Sequence, residues 1–168
     1  ADIYNYDLSL KNHLEEMLER DQAYRTQWIL SRQLHHEETQ DDIALRLRAD
    51  SIDSLNQVEI RQILKEHGFP KKTEVGTSAC EAAWIIIQHA PLDVQKEYLP
   101  MLERAATEGN IQAALVAALH DRIDVREGRP QKYGTQRNHN GICPLLNKKM
   151  VNQWRKEVGL PPLDEYSK

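Results

Sequence analysis

Apolar residues recur along most of the chain in steps of three and four, the period of one helix face. Leu10, Leu14, Met17, Leu18, Tyr24 and Trp28 carry that period and predict a long amphipathic helix over about 7–34. His35-His36-Glu37-Glu38 interrupts it with a polar bend. A second helix is predicted over about 39–67, with Thr39 placed to cap its first amides. Its apolar positions are read as Ile43, Leu47, Ile52, Leu55, Ile60, Ile63 and Leu64. Gly68 and Pro70 close it, since glycine suits the residue past a helix end and proline cannot continue one. Lys71-Lys72-Thr73-Glu74 reads as a polar connector. Ala82-Ala83-Trp84-Ile85-Ile86-Ile87 then marks a buried helix over about 77–89, with Thr77 or Ser78 as its cap. Pro91 separates it from a helix over about 91–108, which Gly109-Asn110 stops. An alanine-rich helix over about 110–127 ends at Gly128, and a last one covers about 147–158.

The stretch between the last two loses the helical period. Asn140-Gly141 within it is a favoured two-residue turn, so a short hairpin or ordered loop is expected near 129–146. The expectation is therefore all-α: a single helical domain over 1–168, a bundle of about five to six helices with that one irregular insertion. A length of 168 residues suits one domain. Seven glycines and seven prolines are too little turn material for an all-β alternative.

Chemistry is sought in polar residues that fall in phase with apolar stripes, because a buried charge must be compensated. Asp21 and Arg25 extend the Leu14, Met17, Leu18 stripe one turn apart. They are either an ion pair tying two helices or the lining of a site. His89 shares a face with Ala82, Ile85 and Ile86, and Gln88 precedes it. A histidine there is either a satisfied core residue or a general acid–base. Arg122 follows Ile111, Leu115, Ala118 and Leu119 by helical steps, with Asp121 beside it. A guanidinium so placed can clamp a carboxylate or phosphate, or merely pair with an aspartate. Gln131-Lys132-Tyr133-Gly134-Thr135-Gln136 is a polar run around one glycine, read as a recognition loop or a plain surface hairpin.

Several classes are excluded or disfavoured. A formal charge of −4, from 22 basic and 26 acidic residues, opposes nucleic-acid binding, which needs a basic surface. No apolar run approaches the ~20 residues that span a membrane. No phosphate-binding glycine loop, dinucleotide fingerprint, nucleophile elbow or His-Glu-x-x-His run is present. Seven histidines form no finger-type spacing, so neither a metal nor another cofactor is expected. Cys80 and Cys143 allow one disulfide or two free thiols. Localisation stays open between the cytoplasm and export after removal of a signal.

The set Asp21-x-x-x-Arg25, His67-Gly68-Phe69-Pro70, Ala82 to Gln88-His89-Ala90, Asp121-Arg122 and Gly128-x-Pro130-Gln131-x-Tyr133-Gly134-Thr135-Gln136 resembles an uncharacterised bacterial family, a domain of unknown function with Gln-His-Ala and Tyr-Gly-Thr-Gln signatures. The tail Gly159-Leu160-Pro161-Pro162-Leu163-x-x-Tyr166 is similar too, so the resemblance covers about 15–166. It implies a mostly helical protein whose polar intruders and loop belong together, and it implies no activity. An acidic residue would be expected near Asn147, where this chain departs.

The resulting expectation is a pocket enzyme or small-ligand-binding domain, with hydrolysis or acid–base rearrangement of a small polar substrate as the reaction class. His89 is the candidate acid or base, with Asp21 or Asp121 orienting it. Arg25 and Arg122 would hold an anionic or carbonyl oxygen. Gln88, Tyr133 and Gln136 would position the substrate. The competing expectation is a helical interaction module. There the same residues form a structural network, and the face carrying Asp41, Asp42, Arg46, Arg48 and Asp50 meets a protein partner.

Overall fold

In the computed structural model, which describes residues 5–35 and 37–164, Asp7 opens the first helix by accepting the Leu10 amide at 3.0 Å. This helix, α1, runs Leu8–Leu34. The second, α2, runs Gln40–His67 and starts on a full capping box. Thr39 Oγ1 accepts the Asp42 amide at 3.1 Å while the Asp42 carboxylate accepts the Thr39 amide at 2.8 Å. His36 of the expected bend and Tyr166 of the tail lie outside the described residues.

The remaining helices are α3 (Lys72–Val75), α4 (Thr77–Gln88), α5 (Leu92–Thr107), α6 (Ala113–Arg126) and α7 (Val151–Glu157). Two-residue strands β1 (Arg137–Asn138) and β2 (Gly141–Ile142) pair antiparallel. The all-α expectation holds, with seven helices among the described residues rather than five to six. The extra one is α3, a single turn within the supposed connector. No helix among the described residues is long and apolar enough to cross a membrane.

The chain forms two compact units, the first up to Ala90 and the second from Pro91. In the first, α1 packs on α2 and α4, and α4 also touches α2. Leu14 and Met17, Ile60 and Leu64, and Cys80, Ile86 and Ile87 are its buried centre. Ala79, Ala82 and Ala83 are buried as well, and their small side chains let α4 lie close to the long helices. In the second unit α5 packs on α6. Tyr98, Leu102, Leu119, Ile123, Cys143 and Val151 are buried there.

Some boundaries differ from expectation. Gly76 caps α4, and Thr77 is already helical. Gly76 has φ +83°, a region that excludes β-carbon side chains such as those of threonine or serine. α6 begins at Ala113 behind Gln112, and α7 begins at Val151. Asn147 Oδ1 accepts the Lys149 and Met150 amides ahead of α7, so the position where an acid was expected holds a local turn.

The hairpin turns on His139-Asn140, one residue earlier than read. Gly141 takes φ +105° and no other residue type among the described ones has positive φ. An Asn-Gly turn needs positive φ at both positions, which Asn140 does not adopt.

The largest correction concerns α2. Leu47 and Leu55, expected in the core, are 55% and 47% exposed. Ala49, Asn56, Ile60, Ile63 and Leu64 face inward instead. The face is set by the contiguous C-terminal trio Ile60, Ile63 and Leu64. Stepping back from it by four, three and four residues reaches Asn56, Asp53 and Ala49, not the leucines.

Candidate functional site

In the first unit the buried stripe of α1 ends on Asp21, whose residue is 1% exposed. The helix phase drives this carboxylate inward beside Met17 and Leu14, and polar neighbours from α1 itself and from the end of α4 meet it. His89, the residue that ends α4, places Nδ1 2.8 Å from Asp21 Oδ1. Gln22 Nε2 donates to Oδ2 at 2.5 Å, and Arg25 Nε lies 3.4 Å from the same oxygen. Arg25 Nη2 then reaches Asp53 of α2, 2.6 and 2.7 Å from its two carboxylate oxygens.

The electrostatics follow from this arrangement. Burial works against ionising Asp21. The hydrogen bond and charge of His89, and then the charge of Arg25, outweigh it and hold the carboxyl below its ordinary 3.8. Asp53 goes the other way: burial pushes its carboxyl up, against the opposing pull of Arg25. An ionised carboxylate only accepts, so His89 Nδ1 carries the proton that Asp21 receives. In neutral His89 that leaves Nε2 as a lone-pair acceptor. Among the described residues nothing bonds to Nε2, and the ring is 20% exposed. Arg25 is 18% exposed and Asp53 21% exposed, so the cluster is open at its outer side while Asp21 is sealed.

Asp21, Asp53 and His89 could together offer ligand atoms to a metal ion. The Arg25 guanidinium already supplies the positive charge between the two carboxylates. His120, Asp121 and Asp124 are a second such set in the other unit. There Asp124 accepts from Arg129, and Asp121 is fully engaged as described next.

In the second unit Asp121 is 0% exposed and organises the polar loop. Oδ1 accepts the amides of Lys132 and Tyr133, both at 2.9 Å. Oδ2 accepts the amide and hydroxyl of Thr135 at 3.0 and 2.8 Å. Each of its oxygens thus takes two donors from its own unit. Gln131, also 0% exposed, clamps the same loop: its amide donates to the Gln136 and Cys143 carbonyls and accepts the Gln136 amide. Gln136 in turn directs its side-chain amide at the Ala118 carbonyl and Thr135 Oγ1, a structural use rather than a free one.

Gly134 explains why the run contains a glycine. It has φ +68°, and a β-carbon there would stand 2.7 Å from Leu163 Cδ1 and 3.1 Å from Leu145 Cδ2. The neighbouring Tyr133 carbonyl accepts from Arg155 Nη1 at 2.7 Å. The Tyr133 ring meets His120 edge-on with centroids 6.2 Å apart, and both line a cleft of about 150 Å³. A larger cleft, about 320 Å³, belongs to the first unit and is lined by His13, Glu59 and His67 among others, none of them in the Asp21 cluster.

The model of DUF6624, a family of unknown function, matches residues 8–168. This chain belongs to DUF6624. Comparison with curated proteins and with solved structures finds no match. Within this DUF6624 member, the Tyr-Gly-Thr-Gln run is a loop built by Asp121, Gln131 and Arg155. The Gln-His-Ala run delivers His89 to Asp21.

Of the sequence-predicted residues, Asp21, Arg25 and His89 thus form one cluster, which also contains Asp53. Asp121, Tyr133 and Gln136 belong to the loop of the second unit. Gln88 ends α4 and Arg122 lies on α6, both half-buried. Asp53 escaped the sequence reading for a definable reason. It lies in phase with Ala49, Asn56 and Ile60, the same signal that marks Asp21, but the more hydrophobic Leu47 and Leu55 point the sequence pattern to another face.

Proposed function

We propose that the Asp21–His89 pair is a general acid–base centre for a small polar substrate, with Arg25 as the donor to a carbonyl or anionic oxygen. The carrying observation is the asymmetry of His89. One ring nitrogen is fixed by a sealed, ionised carboxylate, and the other has no partner among the described residues, in a side chain that is 20% exposed. Such a pair presets the tautomer in which Nε2 can take a proton, and the carboxylate stabilises the imidazolium that results. Asp53 holds Arg25 through Nη2, leaving Nη1 without a bond among the described residues. A donor anchored in this way meets developing negative charge with little reorganisation. Hydrolysis or a proton-transfer rearrangement are the reactions these groups serve.

A second reading has its own support. The same contacts tie α1 to α2 through Arg25–Asp53 and α1 to α4 through Asp21–His89, which is what a purely structural network would do. The two readings separate by nitrogen-15 spectroscopy of the histidine rings combined with a metabolite screen by thermal shift. The enzyme reading expects His89 in the Nδ1–H tautomer and conversion of a screened compound that is lost in His89→Gln and Arg25→Gln at preserved fold. The proposal fails if both folded variants keep every binding and turnover response of the wild type. Loss of stability in the variants, with no compound bound by the wild type, selects the structural network.

A further inference from the structure

The outer face of α2 carries a pattern that neither the Asp21 centre nor the core uses. Ala44, Leu47, Ser51, Ser54 and Val58 recur in steps of three, four, three and four, the spacing of a helix–helix seam. All five are exposed, with Leu47 at 55% and Val58 at 68%, and Leu55 flanks them at 47%. Leu47, Leu55 and Val58 are large apolar side chains exposed on this face, and the small Ala44, Ser51 and Ser54 between and beside them leave room for a close contact. The two serines do not spoil it. Ser51 Oγ donates to the Leu47 carbonyl at 2.9 Å and Ser54 Oγ to the Asp50 carbonyl at 3.0 Å, so both hydroxyls are satisfied within the helix and can be covered at little cost.

We infer that this face pairs with the same face of a second copy of the chain, α2 against α2, antiparallel about a two-fold axis. Four of the five positions are self-complementary in that direction, and the fifth, Ala44, meets Arg61 of the other copy. With the axis passing between positions 52 and 53, Leu47 of one copy meets Val58 of the other, twice. Ser51 meets Ser54, small against small, which lets the two backbones approach closely.

Charge selects the same direction. The exposed Asp41 lies in the acidic first turn of α2 and the exposed Lys65 in its basic last turn, so antiparallel copies place each beside the other. The helix dipoles are then opposed as well. Two such faces over some 18 residues bury roughly 1,000 Å² in total, at the lower edge of a specific interface, so a reversible dimer is expected.

Sedimentation velocity across a dilution series tests this, with circular dichroism as the control for folding. The wild type is expected to be dimeric at roughly 200 μM and to dissociate on dilution. Leu47→Glu combined with Val58→Glu should weaken dimerisation at least tenfold at unchanged helicity. Asp41→Lys should weaken it too, and adding Lys65→Asp to that variant should restore it. A wild type that stays monomeric throughout overturns the inference. So does a dimer that survives Leu47→Glu/Val58→Glu, or an Asp41→Lys defect that Lys65→Asp does not repair.

Discussion

Asp21 combines near-complete burial with ionisation, and its energetics are set by the partners that make this tolerable. Its folded carboxyl is held below the unfolded value near 3.8 by His89 and Arg25. A group depressed on folding contributes stability that is fully present above its unfolded value and is lost as pH falls through its folded one. Asp21→Asn should therefore cost about 2 kcal/mol at neutral pH, the value of charge-assisted hydrogen bonds lost. Urea unfolding of the two proteins should show that gap constant above about pH 5 and closing in stronger acid. A gap that persists unchanged in acid would mean Asp21 is not ionised in the native state. Gly134 is the residue-scale test in the other unit. Gly134→Ala forces a β-carbon into left-handed backbone and onto Leu163 and Leu145, so a loss of about 2–4 kcal/mol is expected by thermal or chemical unfolding.

Elements here begin and end on identifiable chemistry. α2 depends on the reciprocal Thr39–Asp42 cap, and Thr39→Ala should lower stability by about 1 kcal/mol, read as a shifted urea midpoint at unchanged slope. α4 is instead held by burial, with six residues of its twelve buried and no side-chain cap. Its Cys80 thiol donates to the Pro70 carbonyl and is pushed up to about 11 by burial, so it stays protonated at neutral pH. Both cysteines are free and buried, which resolves the disulfide alternative for this structure. The elements also show how the site was partly legible. The α1 stripe was read correctly through Asp21 because Leu14 and Met17 leave no other face. The α2 stripe was misread because its exposed leucines outweigh its buried alanine and asparagine in hydrophobicity, and that error hid Asp53.

At the scale of the whole molecule, each compact unit has its own apolar centre and its own polar cluster. The first is built on Leu14, Met17, Ile60 and Ile86, and the second on Leu102, Leu119, Ile123 and Val151. Polypeptides covering 1–90 and 91–168 should then each show a helical circular dichroism spectrum and a cooperative thermal transition. A fragment that unfolds without cooperativity would show that its core requires the rest of the chain. Asp21, Arg25, Asp53 and His89 form the cluster of the first unit, and Asp121 and Gln131 build the loop of the second.

The sequence by itself determined the helices, most of their limits and, on α1, the position where charge enters an apolar face. These are local properties: a 3.6-residue period, a capping side chain and a glycine are legible wherever they stand. Only the tertiary structure decided which charge meets which. Asp21 takes Gln22 and Arg25 from its own helix but His89 from 68 positions away, and Asp121 takes its donors from a loop 11 to 14 positions away. The face of α2 was decided in the same way, since only packing against α1 and α4 ranks a buried Ala49 above an exposed Leu47.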